Sequence, residues 1–249
     1  MIDLDNLPEH LKGQIQYFEE VKGTKAETHT LAPWQKSYLE RFFESFPVDQ
    51  NTLIIDSGTG SGYMAIELAK KGAKVIAMDL TLKSLLRLRK IIAEGELASR
   101  IGLVCCTAEN LPIKSEVADY FVSFAVLEHL PREKEAIREI TRVCKAEAGA
   151  MISVPIKYRY LHPLFYLPHI IFDKQIGHLR RYDDSDLRNK FEGWDLLKIY
   201  YSGHAQKAFK VAVNFIYPIF DNVAIEQQDR KMESRKLWST VIAGVFKKR

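Results

Sequence analysis

Short apolar runs separated by amphipathic segments dominate the chain from Thr52 onward. The runs predict buried parallel strands, because such strands are covered on both faces and carry few polar residues. Apolar residues spaced three and four apart predict helices at 63–71, 82–94 and 133–144. The predicted strands are 53–55, 75–78, 101–106, 120–124, 150–154, 194–201 and 239–246.

Alternation of strands and helices predicts right-handed βαβ units and therefore an α/β fold. We expect three layers, with a seven-stranded, mostly parallel sheet and helices on both faces. The segment before Pro47 reads as helical, which makes residues 1–50 an N-terminal cap. Residues 156–193 are long for a connection and predict a lid insertion between strands five and six. The 249 residues fit a single domain.

Composition narrows the class of protein. Hydrophobic residues make up 47% and charged residues 27%, an ordinary globular balance, and the net charge of +4 is too small for a dedicated nucleic-acid binder. The three cysteines, Cys105, Cys106 and Cys144, have neither zinc spacing nor a disulfide framework, which favours a reducing compartment. The N-terminus lacks a signal pattern, and the apolar stretches 161–172 and 208–220 are too short to span a bilayer. We therefore expect a cytoplasmic protein.

A glycine-rich turn follows the first predicted strand. Residues 56–62 read Asp-Ser-Gly-Thr-Gly-Ser-Gly, and glycine lets a backbone turn tightly and approach a ligand closely. Asp79 ends the second strand, where a carboxylate can accept hydrogen bonds from both hydroxyls of a ribose. In an open α/β sheet both features lie at the carboxyl ends of strands, where ligands bind.

The turn fits an adenosyl sulfonium better than a dinucleotide. Tyr63 stands where the dinucleotide fingerprint requires a third glycine. Asp56 would oppose a pyrophosphate, whereas it suits the ammonium of a methionine moiety. The Tyr-x-x-x-Lys pair of many nicotinamide-dependent reductases is also missing after strand five.

Four segments together resemble one known family: 53–62, 75–79, 107–112 and 119–130. Over residues 51–155 the chain resembles the class I S-adenosylmethionine (SAM)-dependent methyltransferases, particularly the small-molecule group that includes quinone-biosynthesis methyltransferases. The resemblance implies a Rossmann-like fold and SAM as the cofactor. The cofactor-binding residues that it implies are Asp56, Ser57, Gly58, Thr59, Gly60, Gly62, Asp79, Leu80, Thr107, Ala108, Glu109 and Ser123.

One position departs from the family pattern. The family usually has Asp where this chain has Thr107. A threonine hydroxyl still accepts a hydrogen bond from the adenine amino group, and Glu109 is the alternative acceptor. In both cases we expect the backbone N–H of Ala108 to contact adenine, with Met78 and Leu80 on the two faces of the ring.

Methyl transfer to a hydroxyl or an acidic carbon also needs a base. The candidates follow strand four and are Ser123, Glu128 and His129, of which Glu128 and His129 are assigned to catalysis. The alternative is that these two cap the next helix or close the pocket structurally. Some relatives bind a divalent metal through Glu-x-x-Glu-His. Ala125 occupies the first of those positions here, so we predict no metal.

The acceptor side is less defined. Residues 157–172 are aromatic and apolar, which suits a small-molecule pocket and a hydrophobic acceptor such as a prenylated ring or lipid precursor. Resemblance to the His-x-x-Arg-Tyr segment of relatives implies acceptor contacts for His178, Arg181 and Tyr182. The same apolar residues, with 204–220, also fit a membrane surface, a dimer interface or simple packing over the sheet.

Three other functions remain as alternatives. Residues 123–126 read Ser-Phe-Ala-Val and lack the Asn/Asp-Pro-Pro-aromatic motif that holds a flipped base, although RNA and protein targets stay open. The basic end 246–249 is a short charge run of the kind that is usually solvated. An NAD-dependent oxidoreductase is less favoured, and a SAM-binding protein without catalysis is compatible with the same motifs.

Overall fold

One sheet organises the chain, as a computed structural model describes it over residues 8–21, 30–93 and 95–249. The strands in this part of the chain are β1 Leu53–Ser57, β2 Lys74–Asp79, β3 Ile101–Cys105, β4 Ala118–Phe124, β5 Cys144–Pro155, β6 Trp194–Ser202 and β7 Val241–Lys248. Its helices are α1 Glu9–Val21, α2 Pro33–Ser45, α3 Tyr63–Lys70, α4 Leu82–Ile92, α5 Leu97–Arg100, α6 Glu133–Val143, α7 Tyr166–Ile176, α8 Asp184–Lys190, α9 Ala205–Ile216 and α10 Asn222–Arg230.

The strand order is β3-β2-β1-β4-β5-β7-β6. The five strands β1 to β5 pair in parallel, whereas β7 lies antiparallel between β5 and β6. This confirms the predicted α/β class with a seven-stranded, mostly parallel sheet. The order reverses at β1, which has β2 on one side and β4 on the other, so the ligand-binding crevice is expected beside the end of β1.

Two apolar layers cover the sheet because successive strand residues point to opposite faces. In β1, Ile54 belongs to one core cluster and Ile55 to the other, and both are fully buried. In β4, Phe121 and Val122 divide in the same way. The continuous apolar runs of the sequence therefore reflect a sheet with helices on both faces.

Most strand boundaries differ from the sequence expectation by one or two residues, and the start of β5 differs by six. β5 begins at Cys144 rather than at 150, and helix α6 stops one residue earlier, at Val143. The early part of β5 carries exposed residues such as Lys145 and Glu147, which interrupt the apolar run that marks a buried strand. β7 begins at Val241 because Ser239 lies in the preceding turn, where its hydroxyl donates to the Lys236 carbonyl at 2.7 Å.

Helices outside the βαβ repeat lie before β1 and in the connections on either side of β6. α1 and α2 form the expected helical N-terminal region, and α2 packs Tyr38, Leu39 and Phe42 into the core. The insertion 156–193 contains α7 and α8, while α9 and α10 between β6 and β7 were not predicted from sequence. None of the described helices combines the length and the apolar character needed to cross a bilayer.

Candidate active site

The glycine turn after β1 has a backbone that only glycine adopts without strain. Gly58, Gly60 and Gly62 have φ values of 72°, 52° and 76°. A Cβ on Gly58 would lie 2.3 Å from Cγ2 of Val126, and one on Gly62 would lie 2.4 Å from Cδ1 of Leu88. The turn is therefore pressed against α4 on one side and against the residues after β4 on the other.

The end of β2 is bonded to this turn. The Gly60 N–H donates to Oδ2 of Asp79 at 2.8 Å, and the Thr81 N–H donates to Oδ1 at 2.8 Å. The N–H groups of Gly58 and Thr59 both donate to the Met78 carbonyl, at 2.8 and 2.9 Å. Asp79 thus lies beside the glycine turn at the end of β1, where the ligand-binding crevice is expected. Oδ1 also accepts from the Thr81 hydroxyl, at 2.6 Å, so among the described residues Oδ2 is the carboxylate oxygen that keeps a lone pair for a ligand hydroxyl.

Asp56 is buried at the base of the turn, only 4% exposed. The Thr59 hydroxyl donates to its Oδ2 at 2.6 Å. Burial raises the pKa of Asp56 to about 7, although the Thr59 hydrogen bond opposes that shift. A cation placed beside this carboxyl would favour its ionised form.

Thr107 and Ala108 follow β3 at the same edge of the sheet, whereas Glu109 turns away from it. Thr107 is half-buried, Ala108 is 8% exposed, and the Glu109 N–H donates to the Thr107 hydroxyl at 3.2 Å. The Glu109 carboxylate accepts from the Arg132 backbone N–H at 2.6 Å and from its guanidinium at 3.1 Å. Glu109 therefore anchors the start of α6 in this structure.

The remaining predicted donor-site residues lie at the carboxyl ends of β1, β2 and β4. Ser57 and Ser123 pair across β1 and β4 and are both buried. Leu80 is half-buried just beyond β2. Met78 is 1% exposed and its sulfur lies 3.7 Å from Sγ of Cys106. Its side chain therefore belongs to the core, which leaves Leu80 as the available flank for an adenine ring.

A strained residue opens the segment after β4. Ala125 has a φ of 55°, an unusual value for a residue with a Cβ, and strained backbone of this kind clusters at functional sites. It leads into a short 3-10 turn, Leu127–His129, in which Glu128 is 1% exposed. Burial raises the pKa of Glu128 to about 8, opposed mainly by a backbone hydrogen bond and by the charge of Arg181.

His178 of the insertion meets this turn. Its Nε2 lies 3.6 Å from Oε1 of Glu128, and its ring centroid lies 4.7 Å from that of His129. On its other side, Nδ1 of His178 is 2.9 Å from Oδ1 of Asp173. Burial lowers the pKa of His178, with the Asp173 charge acting against that shift.

Asp173 also organises Arg181. The Arg181 guanidinium donates to both carboxylate oxygens of Asp173, at 2.5 and 2.7 Å, and to the Ile156 carbonyl at 2.9 Å. Burial raises the pKa of Asp173, but the bonds from Arg181 and Tyr158 outweigh it and hold that pKa below its usual value. Arg181 is thus fixed in place beside the predicted acceptor site.

Tyr182 is placed differently from the other two predicted acceptor contacts. It is 1% exposed, lies in a core cluster and forms a β-bridge with Ile156. Its backbone carbonyl accepts from the Lys157 N–H at 2.8 Å. The structure therefore gives Tyr182 a packing role under the insertion, while His178 and Arg181 reach a cavity.

That cavity has a volume of about 370 Å³. Its lining includes Lys157, Tyr158, Arg159, Asp173, His178 and Arg181. Some apolar residues of the insertion lie outside it and face solvent: Leu164 is 75% exposed and Leu167 is 65% exposed. Most of the lining residues are charged, whereas the sequence suggested a pocket formed by the aromatic and apolar residues 157–172.

The residues after β4 separate the glycine turn from this cavity. On one side Val126 is the neighbour that excludes a side chain at Gly58. On the other side the Leu179 N–H of the cavity wall donates to the Glu128 carbonyl at 2.8 Å. Residues 126–129 therefore form a wall between the glycine turn, where the donor recess is expected, and this cavity.

Sequence reasoning missed three contributors to this wall. Helix α1 covers it, because His10 and Gln14 both contact the His129 carbonyl, at 3.0 and 3.3 Å. Arg180 donates to the Leu130 carbonyl at 2.5 Å, and Asp173 orients His178. The charged Asp173 within the apolar α7 was the one available signal, since a buried acid in such a helix needs a partner.

Comparisons with known proteins agree with this architecture. A family model described as a methyltransferase domain matches residues 55–152. This confirms the predicted family resemblance and covers β1 to β5, including the glycine turn and residues 126–129.

Two proteins of known name are similar to this chain over about half of its length. The chain is 29% identical over 133 residues to the biotin biosynthesis bifunctional protein BioHC of Cellvibrio japonicus, covering 53% of this chain and 26% of that protein. It is 30% identical over 118 residues to a malonyl-[acyl-carrier protein] O-methyltransferase of Marinomonas, covering 46% and 42%. The chain thus spans less than half the length of each of these relatives.

Solved structures share the fold across nearly the whole chain. The geranyl diphosphate C-methyltransferase of Streptomyces coelicolor superposes with a TM-score of 0.71 at 10% identity, covering 97% of this chain and 99% of that one. A sarcosine dimethylglycine methyltransferase from Galdieria sulphuraria superposes with a TM-score of 0.67 at 14% identity, covering 94% and 97%. At these identities the likeness concerns the fold alone.

Proposed function

We propose, from the match of residues 55–152 to a methyltransferase domain, that the protein transfers a methyl group from SAM to a small amphipathic acceptor. The observation that carries the proposal is the wall at 126–129, which has the glycine turn on one side and a cavity on the other. Methyl transfer needs a donor site and an acceptor site that adjoin one another, because the methyl carbon and the acceptor atom must meet in line across a short distance.

The donor recess suits SAM. Oδ2 of Asp79 accepts from the ribose, the turn approaches the sulfonium region, and Asp56 lies where the methionine ammonium is expected. Thr107 and Ala108 receive the adenine, with Leu80 against its face. Tyr63 enters α3 in place of the third glycine of a dinucleotide site, so the helix start is not adapted to a pyrophosphate.

SAM supplies an activated methyl group, so the protein has mainly to position the acceptor and to exclude water. Glu128 and His129 are buried at the wall between the recesses and are the residues proposed to act on the acceptor. His178 and Arg181 reach the cavity from the insertion and hold the acceptor there. The insertion 156–193 is thus proposed as the acceptor-side lid.

The acceptor has a polar end and an apolar remainder. The cavity lining includes the charged side chains Lys157, Arg159 and Arg181, each of which is paired with an aspartate, and these polar groups favour a polar group on the acceptor. Next to the cavity, the exposed apolar residues Leu164 and Leu167 offer contact to a hydrocarbon portion. A prenylated ring or a lipid precursor has this division. The exposed apolar side chains of α7 and α9 also suit peripheral contact with the membrane in which such acceptors dissolve.

Calorimetric titration tests the donor assignment. The whole chain titrated with S-adenosylhomocysteine should bind one equivalent, whereas NAD should give no saturable heat. Binding of NAD instead would remove the donor assignment and with it the methyltransferase proposal.

A panel of candidate acceptors tests the proposed acceptor class. With methyl-labelled SAM, we expect label to reach a prenylated hydroquinone in detergent micelles and not its ring without the prenyl chain. Label in tRNA or in a protein substrate would replace the acceptor class while leaving the donor site intact. Transfer only to small polar acceptors would also contradict the amphipathic assignment.

A further inference from the structure

Three metal-ligating side chains converge beside the cavity, from two segments far apart in sequence. Glu128, His129 and His178 each present one ligand atom, and these atoms lie within 4.8 Å of one another. The Nε2 of His178 and Oε1 of Glu128 are 3.6 Å apart. This is close to the roughly 3.3 Å that separates ligands in a tetrahedral site with bonds of about 2.0–2.1 Å.

The cluster is buried and its carboxylate has unused capacity. Glu128 is 1% exposed and His129 is 6% exposed. Among the described residues, Oε2 of Glu128 has no hydrogen-bond partner. A buried polar atom normally has a partner, and an unsatisfied one calls for an explanation such as a bound ion.

His178 is oriented as metal-bound histidines usually are. Its Nδ1 lies 2.9 Å from Oδ1 of Asp173, which leaves Nε2 directed to Glu128. A carboxylate on the second ring nitrogen fixes the tautomer and the ring orientation of a histidine ligand. Asp173 is itself held by the Arg181 guanidinium, so the pair forms a rigid support.

Positive charges near the cluster have partners of their own. Arg181 is bonded to both oxygens of Asp173. Arg180 donates to the Leu130 carbonyl and lies 3.7 Å from Oε2 of Glu133. A cation at the cluster is therefore not opposed by an uncompensated arginine among these contacts.

We propose that Glu128, His129 and His178 form a binding site for a divalent transition metal at the wall of the acceptor cavity. Sequence reasoning predicted no metal because Ala125 replaces one ligand of a familiar motif, but the insertion supplies His178 as the third group. Two imidazoles and one carboxylate favour Zn²⁺, Fe²⁺, Mn²⁺ or Co²⁺ over Ca²⁺. Because His178 also lines the cavity, the metal has a position from which to bind an acceptor oxygen.

Cobalt binding tests the site without any activity measurement. The whole chain is treated with a chelator, dialysed and titrated with Co²⁺, whose visible absorption reports protein ligands, while bound metal is counted by mass spectrometry after equilibrium dialysis. We expect one equivalent per chain. Glu128→Gln and His178→Ala should each weaken binding by more than about 100-fold, and Asp173→Asn by roughly 10–100-fold.

His162→Ala is the matched control, because His162 packs against Trp238 and lies outside the cluster. It should bind Co²⁺ like the wild type. Cooperative thermal unfolding checks the fold of each variant, and the isosteric Glu128→Gln keeps the test decisive if His178→Ala fails to fold. Substoichiometric uptake by the wild type, or wild-type binding by Glu128→Gln, overturns the site.

This inference goes beyond the proposed function, and the two fail separately. Loss of the metal site would leave binding of S-adenosylhomocysteine as expected. Failure of that binding with one Co²⁺ bound would remove the methyltransferase proposal alone.

Discussion

The backbone N–H of Gly60 donates to Oδ2 of Asp79 at 2.8 Å, so the glycine turn and the acid of β2 form one unit. The other oxygen of Asp79 accepts the Thr81 N–H at 2.8 Å. One carboxylate therefore holds the glycine turn and the start of the next helix together, and its Oδ2 keeps a lone pair for a ligand.

Replacing Asp79 should weaken donor binding. Asp79→Ala leaves ribose hydroxyls and the Gly60 N–H without their acceptor, which costs about 1–3 kcal/mol, or roughly 5–150-fold in affinity for S-adenosylhomocysteine. Asp79→Asn keeps one acceptor oxygen and should cost less. Titration calorimetry measures both, with the exposed Asp195→Ala as control. Equal affinity of Asp79→Ala and wild type would take Asp79 out of the site.

A side chain at Gly58 should distort the turn. Gly58→Ala adds a Cβ at a φ of 72°, in contact with Val126, so we expect at least tenfold weaker binding of S-adenosylhomocysteine. The cost in stability, about 1–2 kcal/mol, corresponds to a melting temperature lower by about 2–8 °C.

Two variants separate contact from backbone strain at Gly58. Gly95 has a φ of 90° with open space around it, so Gly95→Ala reports strain without a clash. Adding Val126→Ala to Gly58→Ala removes the clashing methyl and should restore part of the affinity. If the double variant binds no better than Gly58→Ala, the close approach to Val126 is not the cause.

Donor binding should depend on pH through Asp56. Burial raises the pKa of Asp56 to about 7, so in the free protein this carboxyl is largely protonated below that pH. An ammonium favours the ionised form, and binding must then release a proton. Affinity should therefore rise as the pH increases from about 5.5 to 7, by at most about tenfold per pH unit, and level off above.

Calorimetry in two buffers of different ionisation enthalpy measures that proton release. Asp56→Asn should bind more weakly and lose the pH dependence, because an amide does not titrate in this range. A pH dependence that persists in Asp56→Asn would assign it to another group.

Glu109 should contribute to stability rather than to adenine binding. Its carboxylate is bonded to the backbone and side chain of Arg132. Glu109→Gln should lower the free energy of unfolding by about 1–3 kcal/mol. Affinity for S-adenosylhomocysteine should change by less than about twofold. Denaturant unfolding measures the stability and calorimetry measures the affinity. A variant that lost affinity but not stability would show that Glu109 contacts the adenine after all.

Local patterns were sufficient for the sheet and the donor turn. The apolar run at Ile54 and Ile55 predicted β1, because a strand that is buried on both faces shows up in the sequence as consecutive apolar residues. The glycines at 58, 60 and 62 and the acid at 79 follow a spacing set by one βα turn and the next strand. Such short-range constraints are legible in a single sequence.

Only the tertiary structure decided which distant side chains meet. The spacing of apolar residues did not predict that His178 lies beside Glu128. It also did not predict the ion pair between Arg132 and Glu109, or the hydrogen bond from Gln14 of α1 to the His129 carbonyl. The composition of the insertion suggested that its apolar residues form the acceptor pocket. In the structure, Leu164 and Leu167 face solvent and charged residues line the cavity. Alternation along a chain determines which face of an element is apolar, whereas the partner of a polar side chain depends on how separate elements pack, which leaves no local signature.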